Sequence, residues 1–564
     1  MARTNSLPPL SLNGSWEFRF EEGKSLEEVA NPAFEATDTM VVPACYDTFP
    51  KWFLKRGTGL YRRTFTLAQP VENAWLVVDG MGLRGDFRID GHTTLGVHPY
   101  PYARLELETG PLDAGTHMLF AALDNRLDWK TVKLVRPYYD FYLYGGFYRG
   151  ISLVFDHRKL FVRTRDYKSG LIELEAVDFP AGEFTADLCF DEAHSVKVGF
   201  RSSRATVCVP QFKLWSPEHP NLHRVTLKAE GMAPLSVRFG IREIKAEGRR
   251  ILLNGEPIYL KGVNRHDSHI EFGVATPESQ MLRDLQLIKS LNANFIRGAH
   301  YQQSQRFLDL CDEMGILVWE ESLGWGNGQP YTQRDGVNEL LDPDFVQQQL
   351  FQTREMVRTS FNHPSVIIFG SLNECDGRQP ECKTLVDALV DVIRAEDSGR
   401  LVTFACNVWN GDLCNERTDL VAFNAYPGVI PLKPGLPEEL AANVRDGAGG
   451  FNTITRYFRE KYPDKPIIVS ESGVGGQYGC HDEAAACLTE EFQNEFLNDV
   501  LETIFTNPDL TGYAIWQFAD NRTYHRNSSS EPGKPYGISI AGLYNSQRQP
   551  KLSVQTVRKW FGTR

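Results

Sequence analysis

The chain has 564 residues, 42% hydrophobic, 12% aromatic and 23% charged, a globular composition that excludes a disordered or fibrous chain. At about 100–200 residues per domain, this length predicts about three domains. Asp and Glu (72) outnumber Lys and Arg (60) for a net charge of −12, which is not the electrostatic footprint of a nucleic-acid or anionic-lipid binder.

No apolar run reaches the ~18 residues of a transmembrane helix, and residues 1–10 lack the apolar core of a secretory signal. The ten cysteines are scattered with no Cys-x-x-Cys pair, so neither a disulfide framework nor a zinc site is expected. Reduced thiols in a cytoplasmic protein are the expectation.

Up to about residue 245 the chain is built of short alternating runs bounded by turn residues. Ser15-Trp16-Glu17-Phe18-Arg19-Phe20 and Trp75-Leu76-Val77-Val78 are examples, followed by a second series that includes Leu171-Ile172-Glu173-Leu174 and Ala205-Thr206-Val207-Cys208-Val209. Such runs predict β-sandwiches. The expected domains are residues 1–157, 158–244 and 245–564.

Beyond 245, apolar strands alternate with helical segments. The first predicted strand covers 258–263, and Thr276-Pro277 is expected to cap the helix after it, with proline at the first helical position. That helix carries Met281, Leu285 and Ile288 on one face. A second strand at 294–297 precedes a helix that should stop at Gly315 through a left-handed C-cap. Further strands are predicted at 316–320, 366–374, 401–404, 421–426, 466–471 and 512–517, with a last helix near 553–561. Eight such repeats predict a (β/α)8 barrel. The polar 521–537 segment reads as a loop over its active face.

In such a barrel the catalytic groups stand at the C-terminal strand ends. The predicted ends supply Arg297 and His300, Glu320 and Glu321, Asn373 and Glu374, Asn424 and Tyr426, Glu471, and Trp516. Two carboxylates on opposing strands suit glycoside hydrolysis, in which one protonates the leaving oxygen and the other attacks or stabilises the anomeric carbon. Glu320 and Glu321 are expected to be structural or supporting. Arg297 is expected to pair with a rim carboxylate, His363 to be a structural hydrogen-bonder, and Cys375 to be inert.

The run Asn362-His363-Pro364-Ser365-Val366-Ile367-Ile368-Phe369-Gly370-Ser371-Leu372-Asn373-Glu374 resembles the acid/base signature of glycoside hydrolase family 2. Gly262-Val263-Asn264-Arg265-His266-Asp267, Arg297-Gly298-Ala299-His300-Tyr301 and Ile468-Val469-Ser470-Glu471-Ser472-Gly473 are similar to other blocks of that family, in its order. Upstream, Leu12-Asn13-Gly14-Ser15-Trp16, Gly57-Thr58-Gly59-Leu60-Tyr61-Arg62-Arg63 and Gly145-Gly146-Phe147-Tyr148-Arg149-Gly150 resemble its jelly-roll domain. The resemblance implies a jelly-roll sugar-binding sandwich, an immunoglobulin-like sandwich and a catalytic barrel, with a retaining double displacement on a carbohydrate. It implies Glu374 as acid/base, Glu471 as nucleophile and Tyr426 as a hydrogen-bonder to Glu471. Asn373 would hold the sugar 2-hydroxyl, Trp516 would form a platform, and His300 and Asp267 would contact hydroxyls. A homo-oligomer is expected by the same resemblance.

The magnesium-binding Glu-x-His pair of the β-galactosidase branch has no counterpart in Glu320-Glu321-Ser322-Leu323-Gly324-Trp325-Gly326, so no catalytic metal or other cofactor is expected. The β-glucuronidase branch is the nearer one, yet Ser539 and Ala541 stand where its carboxylate-binding Asn-x-Lys motif belongs. Arg522, Arg526 and Lys534 offer other cations, and a guanidinium presents a bidentate fork to a carboxylate. A β-galacturonide is therefore expected ahead of a β-glucuronide. The alternatives are a neutral β-galactoside or a furanoside, and more distantly a non-catalytic carbohydrate-binding protein.

Overall fold

Alternation sets the first sandwich. Along Gly14–Glu22, Trp16 and Phe18 are buried while Glu17 is exposed, so one face of the strand is apolar. The structure, a computed structural model, describes residues 7–136, 139–179, 182–190, 194–330, 337–427, 448–524 and 534–564. In it Gly14–Glu22 lies in a six-stranded antiparallel sheet between Asp38–Val42 and Gly57–Leu67, facing a four-stranded sheet of Leu10–Ser11, Ile151–Val154, Trp75–Val78 and Leu105–Glu108. Trp16, Phe18, Tyr61 and Phe147 pack between them. This is the jelly roll. Three- and four-stranded antiparallel sheets built from Lys159–Asp166 to Leu235–Phe239 follow, closed over Leu174, Leu188, Val225 and Leu227 as an immunoglobulin-like sandwich.

The barrel is closed and parallel. Its strands are β1 (Leu260–Arg265), β2 (Phe295–Gly298), β3 (Leu317–Glu321), β4 (Val366–Asn373), β5 (Leu401–Cys406), β6 (Val421–Asn424), β7 (Ile467–Ser472) and β8 (Gly512–Ile515). β4 is buried at every position, as a strand covered on both faces must be. The eight strands stand where the sequence predicts them, and the last helix spans Ser553–Phe561. Gly315 ends α2 (Gln305–Met314) at a φ of 69°, where any Cβ would be strained. One cap differs. α1 (Glu278–Ser290) has Pro277 itself as its N-cap and no side-chain cap bond, so Thr276 does not serve.

The two C-terminal neighbours that matter most leave regular register. β4 slips against β5 between Gly370 and Asn373, and β6 slips against β7 so that Asn424 faces Glu471. Such bulges re-aim side chains at strand ends. The jelly roll reaches over this rim. Tyr102 stacks on Tyr301 at 3.9 Å, and Arg149 donates to Gln302 O at 2.6 Å and to Asp267 Oδ2 at 3.3 Å.

Candidate active site

Arg297, at the end of β2, is fully buried and organises the rim. Its Nη1 donates to Glu471 Oε1 at 2.6 Å and to Asn264 Oδ1 at 3.1 Å. Its Nη2 donates to both oxygens of Glu321, at 2.8 and 2.9 Å, and to Asn373 Oδ1 at 2.8 Å. Trp319 lies under the guanidinium, 4.7 Å away. Arg297 thus pairs with two rim carboxylates, and Glu321 is one of its partners.

Glu471 takes a second donor from Tyr426, whose hydroxyl lies 2.8 Å from Oε2. Asn424 ties the two halves of the rim together, donating to Glu374 Oε1 at 3.0 Å and to Asn373 Oδ1 at 2.9 Å. Glu374 itself follows the bulge in a left-handed conformation, φ 53°, which a non-glycine residue adopts only when its surroundings impose it.

The charges decide the protonation. Burial pushes Glu471 up to about 8, and the neighbouring Glu374 charge adds to this; Arg297 and Tyr426 oppose it. Burial raises Glu321 as well, against Arg297. Glu321 and Glu471 share one guanidinium and Glu374 acts on Glu471, so the cluster retains a proton near neutrality. In such a coupled set the contacts decide which oxygen carries it. A guanidinium and a phenol favour charge on Glu471.

His300 stacks on Trp516 with ring centroids 5.3 Å apart. Burial and the Arg297 charge hold its imidazole well below the usual range, so it is neutral. Its Nδ1 lies 3.1 Å from Glu321 Oε2 and 3.4 Å from Arg297 Nη2, while Nε2 lies 3.8 Å from Glu471 without a hydrogen-bond partner among the described residues. Asn373 Nδ2 is likewise buried and unpaired. An amide donor and an imidazole nitrogen are thus left unspent among the described residues of the rim, where a sugar hydroxyl could pair with them.

One expected sugar contact, Asp267, is committed elsewhere. Asp267 is fully buried, with Oδ1 on Arg265 at 3.1 Å and Oδ2 on Arg149 at 3.3 Å, so it clamps the jelly roll to the barrel. Arg522 leans onto the jelly roll, its guanidinium 4.9 Å from the Phe53 ring. Arg526 lies outside the described residues. Lys534 pairs with Asp140. His363 binds Asp312 at 2.6 Å and Gln305 at 3.1 Å, beneath the start of β4, and Cys375 is buried. Glu320 is buried and pushed up to about 7 by desolvation.

Two residues of the site carry no periodic signal. Asp140 comes from the jelly roll, accepts from Thr523 at 3.3 Å, and its charge acts on His266, His300 and Tyr426. Its one sequence mark is an acid inside the aromatic run Tyr139-Asp140-Phe141-Tyr142. His266 stands edge-on to Trp516 at 5.4 Å with both ring nitrogens unpartnered among the described residues. For a metal, the described residues bring together one donor set, Asp309, Asp312 and His363. It lies at the far end of β4 from Glu374, and Arg238 already pairs with both aspartates.

The model of the glycosyl hydrolases family 2 TIM barrel domain matches residues 244–563, more than half the chain. The chain belongs to glycoside hydrolase family 2. It is 24% identical to a β-glucuronidase of Streptococcus agalactiae, covering 98% of this chain and 96% of that one. It is 27% identical to a β-glucuronidase of Paenibacillus borealis over 75% of this chain and 71% of that one. It is similar to the crystal structure of a family 2 β-galacturonidase from Eisenbergiella tayi bound to galacturonate, with a TM-score of 0.83, 28% identity, and 100% and 99% coverage. As a family 2 enzyme it hydrolyses glycosides, and its substrate is a carbohydrate. No described helix is long and apolar enough to cross a membrane.

Proposed function

We propose that this family 2 enzyme is a retaining exo-β-glycosidase that removes a terminal β-hexuronide, galacturonide in preference to glucuronide. The observation that carries the mechanism is the contrast between the two carboxyls. Glu471 accepts from a guanidinium and a phenol, which favour its charged form against burial, while Glu374 Oε1 accepts from the neutral Asn424 amide. Glu374 then protonates the glycosidic oxygen as Glu471 attacks the anomeric carbon and the aglycone leaves. Deprotonated Glu374 next takes a proton from water, which attacks the glycosyl ester and frees Glu471 with the sugar in its original β configuration. His300 Nε2 and Asn373 Nδ2 hold the sugar hydroxyls, Trp516 lies beneath the ring, and Tyr426 steadies the leaving carboxylate.

The uronide reading rests on the β-galacturonidase and β-glucuronidase relatives and on Ser539 and Ala541. Ser539 Oγ accepts from Gln517 at 3.1 Å and Ala541 carries no charge, so neither position offers a glucuronate carboxylate a cation, and the adjacent Lys551 is held by Asp520 at 2.8 Å. Arg522, Arg526 and Lys534 are the candidates to replace it. A neutral β-galactoside is the second reading, favoured by the pairing of Lys534 with Asp140. The proposal includes a homo-oligomer, on family resemblance, and a cytoplasmic location, on ten unpaired thiols.

Matched 4-nitrophenyl β-galacturonide, β-glucuronide, β-galactoside, β-glucoside and furanoside substrates test it. The β-galacturonide should have the highest kcat/KM, and Arg522→Met should raise KM for uronides alone. A neutral sugar in first place would overturn the uronide assignment. Proton NMR showing the α-anomer released first would overturn retention.

A further inference from the structure

Buried arginines in this protein come with carboxylates. Arg136, Arg149, Arg265, Arg297, Arg459 and Arg548 are all buried, and each has an Asp or Glu oxygen within 3.8 Å or closer. Arg242 is the exception: 8% exposed, with no carboxylate within 4.0 Å among the described residues. It stands in the segment between the immunoglobulin-like sandwich and β1. Its Nε and Nη2 donate to Pro364 O at 3.1 Å and Val366 O at 2.7 Å, and Nη1 donates to no described residue. Carbonyl dipoles solvate a guanidinium only in part, and an uncompensated buried charge is costly. Burial, and next the charge of Arg400, lower Arg242 to about 9.

The same guanidinium lines a cavity of about 220 Å³ between the second sandwich and the floor of the barrel. The other cations lining it are already paired. Arg400 holds Asp397, Arg163 and Arg165 share Glu173 at 3.1 and 2.7 Å, and Lys245 holds Glu243 at 2.8 Å. Arg163 Nε is buried there without a hydrogen-bond partner among the described residues, and Asp397 Oδ1 lies 4.0 Å from it. Five cations, Arg163, Arg165, Arg242, Lys245 and Arg400, thus meet three carboxylates, Glu173, Glu243 and Asp397, which leaves two positive charges in excess and donors unspent. At ~30 Å³ per water it has room for about seven waters, or for a tetrahedral oxyanion with part of its hydration shell.

We propose that this cavity is an anion site that takes a phosphate group, held between Arg242 of the linker and Arg163 of the sandwich. The phosphate is either free inorganic phosphate or that of a phosphorylated sugar. Bound there, it supplies the missing counter-charge and ties the immunoglobulin-like sandwich to the barrel floor, at the end opposite Glu374 and Glu471.

Isothermal titration of the full chain with sodium phosphate, at ionic strength held constant with chloride, tests this. One phosphate should bind per chain, with saturating product sugar in the catalytic site leaving the affinity unchanged. Arg242→Gln and Arg163→Gln should each weaken binding at least tenfold, and Arg242→Lys less. If Arg242→Gln does not fold, Arg163→Gln and Arg242→Lys decide. Hexose 6-phosphate in place of phosphate separates the sources: tighter binding assigns a sugar phosphate, equal or weaker binding the free ion. No binding by the wild type, binding abolished by product sugar, or affinity unchanged in the folded variants would overturn the proposal.

Discussion

Arg297 Nη1 lies 2.6 Å from Glu471 Oε1, and the same guanidinium grips Glu321 through its other nitrogen. One cation therefore serves two carboxylates directly, with Glu374 acting on the same cluster. This sharing sets which carboxyl attacks, which carries the proton, and over what pH range both hold.

Glu471→Ala should lose on the order of 10³–10⁶-fold in kcat while keeping its far-ultraviolet circular dichroism, as removal of an attacking group does. Azide, entering the space left by the carboxylate, should restore turnover and yield the α-glycosyl azide. A β-azide product, or substantial turnover without azide, would take Glu471 out of the nucleophile role.

Glu374→Ala should separate substrates by leaving group. General-acid assistance contributes about 10²–10⁴-fold where the aglycone is a poor leaving group. An alkyl glycoside should lose that factor at the glycosylation step, and a 2,4-dinitrophenyl glycoside should lose far less there. Equal losses for both would contradict the acid assignment.

The pH profile follows from the shared proton. Burial and the Glu374 charge raise Glu471 to about 8, so the interacting pair keeps a proton near neutrality. Activity measured as kcat/KM should fall on the alkaline side, as the pair loses the proton that the acid step needs. The sign for stability is the same. An unfolded glutamate titrates near ~4.3, so between there and about 8 the folded chain binds more protons than the unfolded one, and stability declines as pH rises. Glu471→Gln should raise the Tm, and its advantage over wild type should widen from acidic to mildly alkaline buffer. A constant difference across pH would show that no proton is retained.

Asp140→Asn should lower kcat/KM roughly 10–100-fold, the ~1.5–3 kcal/mol of a charged hydrogen bond, with little change in Tm. Asp267→Asn should do the reverse. It breaks the clamp to Arg149 and Arg265, so it should lower the Tm by several degrees and leave KM nearly unchanged. If Asp267→Asn raised KM and left the Tm alone, the sugar contact expected from the sequence would stand after all.

Much of this protein is legible along the chain, because hydrophobic period and capping are local. The eight strand positions of the barrel, the left-handed stop at Gly315 and the sandwich alternation at Trp16 and Phe18 each depend on neighbours within a few residues. The sequence by itself also determined which polar residues end those strands, and with them Arg297, Glu374 and Glu471. What it could not state is which remote segment each side chain meets. Asp140 joins the rim because a jelly-roll loop more than a hundred residues upstream folds over β1 and β2. Asp267 leaves it because Arg149, from that same domain, reaches in first. Arg242 lacks a counter-charge through the way the second sandwich meets the barrel floor. Partners that far apart in sequence are chosen by packing, which only the tertiary structure decides.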